Sequence, residues 1–132
     1  MKNRSDAYAF ISYSSANKQE ARKLYDTLTN NFYKITCWLD AEDLEFDQNG
    51  FPVQLHEGIR NSSCIVHVNT EEAQKSNYVD LELRTAREFN IPVFHYKINR
   101  KNSKIVSAIK IFFLALQIKM RITMPFWITL SL

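Results

Sequence analysis

Glycine is almost missing from this sequence: Gly50 and Gly58 are the only two in 132 residues. A phosphate-binding loop of the P-loop or dinucleotide-fold kind needs several glycines at fixed spacing, so that backbone can close on the phosphates. Both kinds are excluded. Cysteine is equally scarce. Cys37 and Cys64 lie in separate apolar stretches, form no C-x-x-C pair, and read as reduced, buried, small hydrophobes. His56, His67 and His95 are too scattered to suggest a zinc site, so no metal is expected. No apolar run reaches the roughly twenty residues that a membrane span requires. No charged-then-apolar leader opens the chain, and a reducing, cytoplasmic setting is the default expectation.

Acid is missing from one end. Residues 1–96 carry ten Lys and Arg against all fourteen acids, a balance of −4, whereas from Lys97 onward there are seven basic residues and no acid, a balance of +7. A nucleic-acid binder would carry its positive charge as a stripe on the folded body. Here the body is mildly acidic, so nucleic acid is not expected as a partner.

What is present fits one globular domain. The length suffices to bury a core without disulfides, and 45% hydrophobic against 23% charged residues is ordinary for a globular chain. Apolar, β-branched or aromatic runs at 7–13, 35–39, 63–68 and 91–96 read as strands. Between them, Ala21, Leu24, Tyr25 and Leu28 fall on one helical face, Leu55 and Ile59 pair on a short helix over 53–59, and a helix runs over about 76–89 after a looser turn at 71–75. Strand–helix alternation of this kind predicts an α/β, flavodoxin-like, three-layer fold: a central parallel sheet flanked by helices. Pro92 marks a strand beginning or an edge. The loop 40–52 is long for an α/β connection and rich in acid, with Asp40, Glu42, Asp43, Glu45 and Asp47, but lacks the spacing of a calcium-binding loop.

Residues 1–100 form the expected domain core, and 101–132 a basic, apolar C-terminal segment. The favoured reading makes that segment the last helix and strand of the same domain. The others are a surface for an anionic membrane and a read-through sequence that packs poorly.

In an open parallel sheet, ligands bind beyond the carboxyl ends of the strands, where strand order reverses. Glu82 is the residue that stands out there. With Ser76 as N-cap, Tyr78, Glu82, Ala86 and Phe89 share a stripe that is otherwise apolar, so the carboxylate points toward the body. Burial disfavours its charged form unless a donor or ligand compensates. The competing reading is a peripheral glutamate paired with Arg60, Arg84 or Arg87. His67 and His95 alternate with apolar neighbours and read as satisfied core or edge histidines.

Four boxes in order then resemble a known family. Phe10-Ile-Ser-Tyr-Ser-Ser15 resembles the first box of TIR (Toll/interleukin-1 receptor) domains, especially bacterial ones. Trp38-Leu-Asp40 and the long loop after it resemble that family's second strand and BB loop. Gly58-Ile59 and Ser62-Ser63 are similar to the stretch entering its third strand. Ser76-Asn-Tyr-Val-Asp-Leu-Glu-Leu83 is similar to S-x-W-C-x-x-E-L, with Tyr78 for Trp and Val79 for Cys. The resemblance spans residues 7–98.

It implies an NAD⁺ nucleosidase or ADP-ribosyl cyclase of an immune or signalling system, with Glu82 catalytic. By the same resemblance Phe10, Ser12 and Ser14 line the nucleotide cleft, Phe10 or Tyr13 is available for stacking, and Trp38, Asp40 and Tyr78 border ribose and nicotinamide. NAD⁺ is then the substrate, with no separate cofactor, and other TIR domains are partners through the loop 40–52. Two further classes stand beside it. One is a non-catalytic TIR adaptor. The other is a receiver-like binding domain, against which Tyr13-Ser14 at the end of the first strand argues, since a receiver places an Asp there.

Overall fold

The computed structural model describes residues 7–39, 51–98, 101 and 103–123, with the backbone alone at 51–54. Four strands, β1 (Ala9–Ser12), β2 (Cys37–Leu39), β3 (Cys64–Asn69) and β4 (Val93–Lys97), form one parallel sheet in the order β2-β1-β3-β4. The chain moves from β1 to one side and then to the other, so strand order reverses at β1. The apolar run 7–13 yields only four ladder residues because its neighbours pair with no more than Ala9 to Ser12.

Side-chain parity on the strands creates two cores. Ala9 and Ile11 of β1, Cys37 and Leu39 of β2, and Cys64, Val66 and Val68 of β3 face one way. Ala21, Leu24 and Leu28 of α1 (Lys18–Leu28) cover them, together with Leu114, Ala115 and Ile118 of α5 (Lys104–Thr123). Phe10, Trp38 and Ile65 face the other way, under Leu55 and Ile59 of α2 (Phe51–Arg60) and Ala86 of α4 (Asn77–Glu88). The three-layer α/β architecture expected from the alternation is therefore present.

Three elements differ from expectation. Helix α2 begins at Phe51, so Phe51 and Pro52, assigned above to the loop, are helical. Proline is accommodated because a first-turn residue needs no intrahelical N–H donor. The looser turn at 71–75 is one helical turn, α3 (Glu71–Gln74), capped by Thr70 Oγ1 accepting from the Ala73 N–H at 3.0 Å. The segment expected to hold a last helix and strand is a single helix, α5, over all that is described of it from Lys104 to Thr123.

Scarcity of glycine shifts its usual tasks to other residues. Helix α4 ends with Asn90 in the left-handed region at φ 55°, while Ile91 N–H donates to Ala86 O and Asn90 N–H to Arg87 O. That is the Schellman arrangement, with asparagine tolerating the backbone that glycine usually supplies. Ile91 also packs in the same core as Ala86.

Gly58 stands where an added side chain would crowd two aromatic rings. A Cβ at this position would lie 3.2 Å from the Trp38 ring and 3.3 Å from the Phe10 ring. Its carbonyl accepts the Tyr8 hydroxyl at 2.7 Å, and Tyr8 stacks on Trp38 with centroids 4.8 Å apart. Gly58→Val is therefore expected to lower stability by about 1–3 kcal/mol through overpacking, measured by chemical denaturation; an unchanged midpoint would refute the close-approach requirement.

Candidate active site

The site is assembled from the second core's polar end. Phe10 and Ser12 point to the same face of β1 because they are two residues apart. Above them runs α4, started by Ser76, whose Oγ accepts from the Val79 N–H at 3.2 Å. That cap sets the helical phase. Val79, Glu82 and Ala86 then turn inward, and Asp80 and Arg84 turn outward to pair with each other at 3.0 Å.

Glu82 is 0% exposed, and its Oε1 accepts the Ser12 hydroxyl at 2.9 Å. The reading of a peripheral glutamate is overturned by that burial. Arg84 is taken up by Asp80, and Arg60 lies over the Phe89 ring at 5.9 Å. A buried carboxyl group is costly unless donors meet it. Ser12, itself fully buried, is such a donor.

The residues named from the sequence divide. Phe10, Ser12, Trp38, Tyr78 and Glu82 all lie on one face: Phe10 in the core cluster, Trp38 and Tyr78 packed against it, and Ser12 bonded to Glu82. Tyr13 does not join them. It packs into the cluster on the opposite face, with Ala21 and Leu24, so it is not placed to stack beside Glu82. Nor does Phe10 offer an open face, since it is fully buried among Leu55, Ile59 and Ile65. Ser14 caps the short 3₁₀ turn Ser15–Asn17, its Oγ accepting from the Ala16 N–H at 3.3 Å. Asp40, and with it the loop 40–50, lies outside the described residues.

Sequence reasoning missed a polar row beside the glutamate. Ser12 pairs in register with His67, and His67 with His95, so three polar residues stand side by side on the face that carries Glu82. His67 Nδ1 and His95 Nδ1 are 2.8 Å apart, one donating and the other accepting. His67 is 6% exposed, and among the described residues its Nε2 has no partner. Alternation alone signalled that each histidine was inward or at an edge. Only strand register could bring the two rings together.

Among the described residues, no group of three His, Cys, Asp or Glu is placed to hold a metal ion. A cleft of about 500 Å³ at the carboxyl end of the sheet, bordered by Glu20, Thr70, Glu71 and Lys97, is not lined by Glu82. Glu82 itself has no exposed surface.

Burial, and then the charge of His95, hold the His67 pKa below its ordinary 6.5. The unfolded chain therefore takes up this proton first as pH falls, and stability must drop as pH descends through 6.5. The urea midpoint is expected to fall from neutral pH to mildly acidic pH, with a shallower fall in His67→Gln. An equally steep fall in that variant would remove His67 as the cause.

Comparison with curated proteins finds no match. The family model described as TIR domain matches residues 9–112, from the start of β1 into α5. On that match, over most of its length and on a parallel sheet of the corresponding order, the chain belongs to the TIR domain family.

Proposed function

We propose that this TIR domain cleaves the bond between nicotinamide and ribose in NAD⁺, with Glu82 as the catalytic carboxylate, in a signalling or defence role. The observation that carries the reading is the burial of Glu82 at the carboxyl end of β1, where strand order reverses and where its Oε1 meets Ser12. An adaptor that only presents surfaces to other TIR domains has no need of a carboxyl group held inside the fold.

The chemistry needs only one such group. Ordinary glycoside hydrolysis uses a second carboxyl to protonate the departing oxygen. Nicotinamide in NAD⁺ is already a pyridinium cation and leaves neutral, taking the electrons of the C–N bond. What remains is an oxocarbenium-like ribosyl cation, stabilised by an anion in a dry site. Water then adds at the anomeric carbon and loses a proton, giving ADP-ribose. Capture by the adenine of the same molecule gives a cyclic product instead. Ser12 acts as a positioning residue, since its hydroxyl fixes the orientation of the carboxylate.

Glu82 has no exposed surface in this state, so turnover requires the face to open. Assembly with other TIR domains, the general habit of the family, is the trigger that this reading favours. Tyr78 and Trp38, packed against the same core, are the side chains that this reading assigns to border an entering ribose and nicotinamide.

The test is incubation of the whole purified chain with NAD⁺ under crowding or other assembling conditions, with products read by mass spectrometry. Release of nicotinamide is expected, falling by at least about 10²–10³-fold in Glu82→Gln. Gln keeps the shape and can still accept from Ser12, so the fold should persist by circular dichroism. Loss of NAD⁺ that survives both Glu82→Gln and Glu82→Ala would sink the assignment; no loss in any assembled state favours the adaptor.

A further inference from the structure

Helix α5 is apolar on two opposite faces, and the sheet uses one of them. Ile111, Leu114, Ala115, Ile118 and Ile122 turn toward the first core. Seven of the eight large apolar side chains that the described residues expose lie on the same helix. Ile105, Ile109, Phe112, Phe113, Leu116 and Met120 advance by steps of four, three, one, three and four, so they form a single stripe along the outer face. Ile105 is 73% exposed and Phe113 59%. An apolar surface of this continuity marks a contact face.

Charge selects what meets it. Helix α5 carries Lys104, Lys110, Lys119 and Arg121 and no acid, and no acid occurs anywhere from Lys97 onward. Lys110 donates from Nζ to the Lys97 carbonyl and Arg121 from Nε to the Ser63 carbonyl, so these two turn toward the body. Lys104 and Lys119 are exposed, Lys104 as the first residue of the helix and Lys119 at the rim of the stripe near its end. A second copy seated stripe to stripe would set cations near cations with no acid on either helix to pair them.

We propose that the outer face of α5 lies on an anionic lipid surface, with the apolar stripe in the headgroup–acyl boundary and Lys104 and Lys119 among the lipid charges. Twenty residues give a helix about 30 Å long, and the apolar stripe runs along most of it. It lies on the bilayer and does not cross it: among the described residues no helix is long and apolar enough to span a membrane, and the inner face of α5 is committed to the core. Adsorption would concentrate the domain in two dimensions, which favours assembly.

The test is co-sedimentation of the whole chain with vesicles of phosphatidylcholine alone and of phosphatidylcholine mixed with phosphatidylserine. Binding is expected to the mixed vesicles only, and to weaken in high salt. Ile109→Glu with Phe113→Glu should abolish it. Both side chains are exposed, so the fold should be kept, as circular dichroism would verify. Lys104→Glu with Lys119→Glu should lower partitioning by about tenfold or more. Equal binding to both vesicles, binding to neither, or binding that survives Ile109→Glu with Phe113→Glu overturns the proposal. A lipid-free dimer that Phe113→Glu disperses also overturns it, assigning the face to a second copy.

Discussion

A glutamate side chain with no exposed surface must be met by a donor, and here the donor is a serine at the end of the central strand β1. That hydrogen bond ties α4 to β1 across a large sequence separation and requires several other features to agree. Ser76 must cap α4 so that the helical phase turns Glu82 inward. Ser12 must fall on the same face as Phe10, which β-strand parity ensures. The sheet must run β2-β1-β3-β4, so that the serine sits where strand order reverses and the glutamate's face lies beyond a strand end.

Beneath this polar end the second core is built from aromatic rings that approach helical backbone. Tyr8, Phe10 and Trp38 press on α2 at Gly58, and the Tyr8 hydroxyl closes the contact on the Gly58 carbonyl. Burial pushes the Tyr8 pKa up to about 12, which keeps that donor protonated. Gly58 thus stands where volume is limiting, and the left-handed turn after α4 is left to Asn90. The two cysteines share this interior economy. Both are buried and outside any disulfide, and burial with the nearby Cys37 pushes the Cys64 thiol up to about 12, against a smaller opposing effect of Arg121. Such a thiol is a packing group and a poor nucleophile.

Helix α5 extends the fold in a different chemical register. Its inner residues complete the first core, so the basic C-terminal segment supplies a helix to the same domain, as its favoured reading expected. Its outer residues carry the apolar surface that the body lacks. The charge contrast along the chain, acidic before Lys97 and wholly basic after it, therefore falls within one packed unit.

Much of this was legible in the residues alone. Alternation of strand-like and helical patterns identified a parallel α/β sheet, because each period reflects a backbone geometry set locally. Ser76 and the spacing from Tyr78 to Phe89 placed Glu82 on the inward stripe, because capping and helical phase are local too. Four boxes in order pointed to the TIR family, which the match over residues 9–112 supports. Other features depend on contacts between distant segments. Tyr13 falls on the opposite face from Glu82, a consequence of parity past the end of a four-residue strand. Pairing of His67 with His95 follows from register between β3 and β4. The hydrogen bond from Ser12 to Glu82 emerged only when α4 was laid across β1. The residues by themselves determined that a carboxylate would sit on an otherwise apolar helical stripe; that it is buried was decided by the packing. Tertiary packing alone decided what it meets there, since hydrogen-bond partners are chosen by proximity in space and not by spacing along the chain.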